Sequence, residues 1–246
     1  MLVVDIGNSR VKWATVKDGV LVGQGAADYR DETLERELDA ALRHLDVPRA
    51  IVYCSVGASA TGKVLESWAE ERWGIEAVRV LTAAEGFGVR CAYPRPETLG
   101  ADRWAALVAC RHQHKGAAVV VDCGTAITLD AITQAGEHLG GVIVPGVTLM
   151  RLALTTRTDQ IPAQDSDSRE VLAKSTADGV AAGTFYAAAA AVDRLAEEMG
   201  GHLPPDSSRI LTGGASAPLR PLMRTRFQTE PHLVLYGLAV IAGAIR

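Results

Sequence analysis

An excess of cationic residues is missing from this chain. Its 246 residues carry 25 Lys and Arg against 29 Asp and Glu, a formal net charge of −4, which offers no basic footprint for nucleic acid. Cysteine is scarce as well. Cys54, Cys91, Cys110 and Cys123 are scattered with no C-x-x-C pair, so neither a zinc site nor a redox motif is indicated. They are expected to be reduced and mostly buried, as in a cytoplasmic protein. No uninterrupted apolar run approaches the roughly 18 residues of a membrane helix, and residues 1–25 lack the cationic start and apolar stretch of a signal peptide. What is present is a hydrophobic content of 48%, much of it alanine, enough for a substantial core in one large domain or two smaller ones. The balance suits a protein that handles small molecules.

The chain opens MLVVDIGNSRVKWATVKDG. An apolar strand runs into Asp5, Gly7, Asn8 and Ser9, which reads either as a tight turn or as a phosphate-binding hairpin. A later stretch repeats it. LVVDIGNSRVKWATVKDGVLVG (Leu2–Gly23) aligns without gaps to VVVDCGTAITLDAITQAGEHLG (Val119–Gly140), and the pairs Asp5/Asp122, Gly7/Gly124, Gly19/Gly136 and Gly23/Gly140 share one offset of 117 residues. Each copy reads as strand, D-x-G turn, strand, glycine turn, strand. The chain is therefore expected to hold two related halves, 1–115 and 116–246, packed closely with a cleft between them.

Between and after the repeats the pattern is α/β. Apolar residues at Leu34, Leu38, Ala41, Leu42 and Leu45 predict a helix over Glu32–Leu45. Strands are predicted at Ala50–Val56, Ala77–Leu81 and Arg209–Leu211, and helices at Val64–Trp73, Ala101–His112, Ser175–Met199 and Leu233–Ile245. The alanine run Ala187–Ala191 predicts a close helix-packing face, and the apolar Val234–Ile245 a buried or dimer-interface helix.

Two places could hold a triphosphate. GASATGKV (Gly57–Val64) resembles a P-loop, but Val64 stands where a hydroxyl should meet Mg²⁺. The two D-x-G hairpins offer different chemistry. Gly7 and Gly124 allow backbone N–H groups to approach a phosphate, since no Cβ intervenes, and Asn8, Ser9 and Thr125 add side-chain donors. Asp5 and Asp122 would act through a cation or ordered water, and Lys12 can reach back with a compensating charge. The Thr212–Gly214 TGG, after an apolar strand, would let an adenine or ribose lie on the backbone. His112 and His114 form an H-x-H with no third ligand placed near them, and carry no metal expectation.

These elements resemble the superfamily of sugar kinases, heat-shock ATPases and actin, and within it the type III pantothenate kinases, also called the Bvg accessory factor family. The resemblance rests on DIGNSRVKW at the start, YPRPETLGADR (Tyr93–Arg103), VVDCGTAITLD (Val120–Asp130) and LGGVIVPGVTLMRLALTTRT (Leu139–Thr158). KSTADGVAAG (Lys174–Gly183), LTGG (Leu211–Gly214) and PHLVLYGL (Pro231–Leu238) continue it over nearly the whole chain. It implies an α/β fold of two duplicated ribonuclease H-like halves, each a mixed β-sheet with helices, forming an ATP cleft. It implies ATP-dependent phosphorylation of pantothenate to 4'-phosphopantothenate, the first step of coenzyme A biosynthesis, in a homodimer using Mg²⁺ and a monovalent cation, K⁺ or NH₄⁺. By matched position Asp5, Ile6, Gly7, Asn8, Ser9, Arg10, Val11 and Lys12 would form the first ATP-binding hairpin and Thr125 would contact ATP in the second. Asp122 would ligate the monovalent cation, and Tyr93, Gly100, Ala101, Asp102, Arg103 and Thr176 would hold pantothenate, with Asp102 the general base. Ser175 and Thr184 compete with Thr176 for its role.

Read without the family, Asp102 starts a helix after Pro96 and Gly100 and serves equally as a cap or as a group that orients a nucleophile. Arg103 could pair with a substrate carboxylate or form a surface salt bridge. Asp5, Asp122 and a triphosphate together exceed what Lys12 can offset, which calls for Mg²⁺ through water at Asp5 and a monovalent ion at Asp122. Two other classes fit the hairpins: a kinase of this fold for another small hydroxyl substrate such as a sugar, and a non-catalytic regulator that kept the fold. Intact Asp5, Lys12, Asp102 and Thr125 speak against the second.

Overall fold

The computed structural model describes residues 1–29, 33–56, 59–157 and 166–245. The chain clusters into two compact units, one of Met1–Lys115, Ala135–His138 and His232–Arg246, the other of Gly116–Gln134 and Leu139–Pro231. Among the described residues no helix is long and apolar enough to cross a membrane.

In the first unit, β1 (Leu2–Ile6), β2 (Arg10–Lys17) and β3 (Val20–Asp28) form an antiparallel meander, and β4 (Ile51–Ser55) and β5 (Ala77–Arg79) extend it in parallel, in the order β3-β2-β1-β4-β5. Alternation along β1 and β4 sends Leu2, Val4, Ile6, Ile51 and Tyr53 to one face. There they meet Leu34, Leu38 and Leu42 of α1 (Leu34–Leu42) and Leu65, Trp68 and Ala69 of α2 (Ser59–Trp73). Glu32, the predicted start of α1, lies outside the described residues. Between β5 and α3 (Ala101–Gln113), the two-residue strands β6 (Glu85–Gly86) and β7 (Val89–Arg90) form a small hairpin, too short to leave an alternation pattern. α3 and α7 (Leu233–Ile241) pack against β4, and α7 also against β1 and β2.

The second unit repeats this topology. Here β8 (Ala118–Cys123), β9 (Ala126–Ile132), β10 (His138–Pro145), β11 (Ser208–Thr212) and β12 (Gln228–Thr229) take the order β10-β9-β8-β11-β12. After β10 comes α4 (Val147–Arg157), then the long α5 (Thr176–Gly200), and after β11 the single turn α6 (Ser216–Leu219). Of the predicted packing face Ala187–Ala191, Ala188 and Ala189 are buried while Ala187 and Ala190 are exposed. The face that packs runs along α5 at helical spacing through Ala181, Ala182, Phe185, Ala188, Ala189, Val192 and Ala196, most of them against Val119, Val121, Ile127 and Leu129 of the sheet. The matched glycines have matched conformations. Gly19 and Gly136 lie at φ 76° and 86°, and Gly23 and Gly140 at 62° and 116°, all in the left-handed region that disfavours a side chain.

Two features depart from the sequence reading. The last helix, placed in the 116–246 half on chain order, sits in the first unit, because Leu233, Val234, Leu235, Leu238 and Ala239 are buried and Gly237 packs flush on α3. A Cβ at Gly237 would lie 1.9 Å from the Ala105 carbonyl oxygen, so no other residue fits that crossing. The D-x-G turns also differ by one residue. Ile6 pairs with Val11 across a four-residue turn, whereas Cys123 pairs with Ile127 across three.

Candidate active site

The first hairpin sorts its residues by role. Ile6 and Val11 are fully buried, so they lend only backbone to any ligand, while Asn8, Ser9 and Arg10 are exposed at the turn. Gly7 N–H donates to the Arg10 carbonyl at 3.0 Å and closes the turn. That N–H is taken up by the turn, and Gly124 N–H is likewise taken up by the Ala126 carbonyl at 3.0 Å, so a phosphate approaching either glycine would meet other backbone N–H groups. What the glycines contribute is the close turn itself. Tyr29, which the sequence reading missed, holds the turn from below: its hydroxyl donates to the Gly7 carbonyl and its N–H to the Ser9 carbonyl. Two acceptor dipoles that would repel a phosphate are thereby engaged. Arg10 Nε donates to Asp28 at 2.6 Å, and that bond holds the Asp28 carboxyl below its ordinary value.

Strand register then assembles a row of three side chains. Lys12 on β2, Asp5 on β1 and Cys54 on β4 are direct cross-strand partners, so all three project from the same face of the sheet. Alternation sets that face opposite the core built on Val4 and Tyr53, and toward α3 and α7. Asp5 is 5% exposed. Its Oδ2 lies 3.5 Å from Lys12 Nζ, and its Oδ1 accepts from Cys54 Sγ at 3.4 Å. Burial first, then the charges on Asp5 and Asp102, push the Cys54 thiol well up, so it stays a neutral donor. Asp102 lies in the first turn of α3, the helix that packs against β4 and so against the strand carrying Cys54.

At the start of α3, Asp102 Oδ1 accepts the Arg103 N–H at 2.7 Å, one of the unpaired donors of the helix N-terminus. Its carboxylate lies back over Gly100, where a Cβ would meet Oδ1 at 2.5 Å and Val56 at 3.6 Å. Gly100 is thus the residue that lets the carboxylate fold over the chain. The next side chain, Arg103, is 5% exposed rather than a surface group, and its Nη1 donates to the Tyr93 hydroxyl at 3.1 Å. Tyr93 stacks on the buried ring of His138 with centroids 6.0 Å apart. Tyr93, Gly100, Ala101, Asp102 and Arg103 are brought together; His138 joins them without any sign in the sequence.

The second unit builds the corresponding row from different residues. Thr128 on β9, Asp122 on β8 and Thr212 on β11 are cross-strand partners, two hydroxyls where the first unit has an ammonium and a thiol. The one-residue difference in turn length produces this, because the sequence counterpart of Lys12 is Leu129, and Leu129 is buried in the core. The TGG turn sits directly on the hairpin. Ala215 N–H donates to the Cys123 carbonyl at 2.9 Å, and a Cβ at Gly213 would lie 2.3 Å from Asp122 Oδ1. On the other side Gly146 N–H donates to the Thr125 carbonyl at 3.0 Å, with α4 starting at the next residue. A Cβ at Gly146 would fall 2.5 Å from the Gly124 and Thr125 carbonyls, so Pro145–Gly146 was an available signal for both α4 and the site.

Thr176 opens α5 and is exposed, lining an apolar pocket of about 670 Å³ with Met150, Leu154, Gly179 and Val180. Its competitors have other partners. Ser175 caps the helix by accepting from Asp178 N–H at 3.1 Å, and Thr184 donates to the Val180 carbonyl at 2.7 Å. The P-loop, disfavoured by Val64, gains no support: Gly57 and Ala58 lie outside the described residues, and α2 is already helical at Ser59, four residues before Lys63. Gly62 is there for packing, since a Cβ would meet the Tyr53 hydroxyl at 2.9 Å. His112 Nδ1 lies 3.0 Å from the Tyr236 hydroxyl.

Comparison with known proteins bears on the family and the fold. The family model for type III pantothenate kinase matches residues 1–198. The type III pantothenate kinase of Nitrosococcus oceani is 36% identical, the match covering 98% of this chain and 93% of the relative. That of Halorhodospira halophila is 37% identical, covering 96% and 95%. Among solved structures, a conserved protein from Campylobacter jejuni described as a Baf family transcriptional activator superposes with a TM-score of 0.60 at 22% identity, covering 99% of this chain and 98% of that one. An ethanolamine utilization protein from Carboxydothermus hydrogenoformans gives 0.58 at 17%, covering 97% and 88%. These two bear on the fold alone.

Proposed function

This chain belongs to the type III pantothenate kinase family, and from that premise we propose that it transfers the γ-phosphoryl group of ATP to the primary hydroxyl of pantothenate, giving 4'-phosphopantothenate for coenzyme A synthesis. The observation that supports the residue assignment is that Asp102, on the helix packed against β4, belongs to the same compact unit as the Lys12–Asp5–Cys54 row.

The hairpin Asp5–Lys12 takes the phosphates of ATP through the exposed Asn8, Ser9 and Arg10. Lys12 offsets part of the phosphate charge, and the Asp5 carboxylate is a hard oxygen donor suited to a hydrated divalent ion. Magnesium, when bound with the nucleotide, supplies the charge neutralisation that phosphoryl transfer needs. Thr125 contacts ATP from the second hairpin, and the TGG turn receives the adenosine side. Arg103 pairs with the pantothenate carboxylate, with Tyr93, Gly100, Ala101 and Thr176 fixing the rest of the molecule. Asp102 accepts the hydrogen bond of the primary hydroxyl and aims its oxygen at phosphorus. As the P–O bond to ADP breaks and the new one forms, the hydroxyl proton passes to the Asp102 carboxylate. In a loose transition state orientation matters more than early deprotonation, which suits a carboxylate fixed by a helix N–H.

The second row supports a monovalent cation at Asp122. Thr128 and Thr212 are the cross-strand neighbours of Asp122, and hydroxyl and carboxylate oxygens are the ligand type that K⁺ would take. Activity is therefore expected to rise when sodium is replaced by potassium or ammonium in a coupled ATP-consumption assay; full activity in sodium alone would remove this part of the proposal. The same assay with pantothenate and a panel of sugars tests the acceptor, and turnover is expected with pantothenate alone. A homodimer is part of the proposal. Leu149, Leu152 and Leu154 on α4, Ile143 on β10 and Tyr186 on α5 are large exposed apolar groups within the second unit, a surface suited to burial against a second copy. The reaction places the protein in the cytoplasm, where ATP and pantothenate are both at hand.

A further inference from the structure

The two sheets put a carboxylate at the same place and flank it differently. In the second unit the residue beside Asp122 on the parallel strand is Thr212; in the first the corresponding neighbour of Asp5 is Cys54. Cys54 is fully buried, and its Sγ lies 3.4 Å from Asp5 Oδ1. Lys12 Nζ lies 3.5 Å from the other oxygen. The carboxylate is thus held at both oxygens, by an exposed-side ammonium and by a thiol from within the core. A buried carboxylate with one flexible lysine partner could rotate about its last torsion, because that torsion is broad and two-fold. The thiol removes that freedom without adding charge.

We infer that Cys54 is a positioning residue for phosphoryl transfer: its S–H donates to Asp5 Oδ1 and fixes the plane of the carboxylate that would hold the hydrated magnesium of the nucleotide. This rests on the function proposed above. The thiol touches neither substrate nor metal and acts only through Asp5. Outer partners that orient a metal's carboxylate commonly change metal affinity by about 10–100-fold when removed, and a weak S–H donor belongs at the low end of that range.

The test compares Cys54→Val, which removes the donor at similar volume, with Cys54→Ser, which keeps one. Calorimetric titration of a nonhydrolysable ATP analogue is run twice for each protein, with Mg²⁺ and with chelator. The valine variant is expected to lose about ten-fold in affinity with Mg²⁺, to match the unsubstituted protein in chelator, and to melt at nearly the same temperature. The serine variant is expected to stay within about three-fold of the unsubstituted protein in both. A purely structural cysteine would weaken binding equally in both buffers or in neither, and either result overturns the assignment, as does equal loss in valine and serine. Cys54→Ala removes the same donor without adding volume and gives the same reading if the valine variant does not fold. Binding is measured without acceptor, so a protein that binds the magnesium nucleotide normally but does not phosphorylate pantothenate would refute the proposed function separately.

Discussion

Asp102→Asn lowers kcat for pantothenate phosphorylation by about 10²–10⁴-fold and leaves the affinity for ATP nearly unchanged. The substitution preserves the shape of the side chain and its acceptor oxygen, so the bond from the Arg103 N–H at 2.7 Å survives and α3 keeps its start. What is lost is the second carboxylate oxygen as a strong acceptor for the primary hydroxyl. A residue that only served the helix start would leave both the melting temperature and turnover nearly intact, since asparagine serves there as well as aspartate. The outcome is read from steady-state kcat, the ATP dissociation constant and the melting temperature. Near-full kcat in the asparagine variant would leave Asp102 as a cap and nothing more.

Gly213→Ala abolishes measurable nucleotide binding and destabilises the second unit. A Cβ there meets Asp122 Oδ1 at 2.3 Å, the Cys123 carbonyl at 2.4 Å and the Cys123 nitrogen at 2.5 Å, on a backbone at φ 93°. Backbone strain and overpacking together amount to about 3 kcal/mol, a fall in Tm of roughly 6–12 °C for a chain of this size. The alanine must displace either Asp122 or the hairpin turn, so both the TGG turn and the D-x-G turn lose their shape at once. Gly140→Ala is the control. Its backbone is also left-handed, at φ 116°, but a Cβ there meets nothing within 4 Å. It carries the strain without the collision and is expected to bind nucleotide normally. Equal binding in the two variants would mean that the two turns do not depend on each other.

Much of this was written in the sequence, and the reasons are local. Glycine turns at a fixed offset reported a duplicated meander because left-handed backbone conformations demand glycine at Gly19, Gly23, Gly136 and Gly140. The helical period of Leu34, Leu38 and Leu42 reported α1, and all three are fully buried. What stayed hidden was set by register and by distant packing. The gap-free alignment concealed a one-residue difference in turn length, so Lys12 and Leu129 looked equivalent although one faces Asp5 and the other fills a core. Cys54 looked like any scattered buried cysteine, since nothing local says that β4 pairs with β1 in the register that sets it beside Asp5, 49 residues away. Tyr29 and His138 brace the site from elsewhere in the chain, through a hydroxyl and a stacked ring that carry no spacing signature. The helix α4 follows Pro145–Gly146, whose break was there to be read, although its contact with the Thr125 carbonyl was not.

The most direct test is the product itself. The protein is incubated with ATP, magnesium, potassium and pantothenate, and the mixture is followed by phosphorus NMR. The expected result is a monophosphate ester signal coupled to the methylene protons of the pantothenate primary alcohol, growing as ADP forms. ADP formation with inorganic phosphate alone, or transfer to a sugar in a mixed incubation while pantothenate stays unmodified, would contradict the assignment.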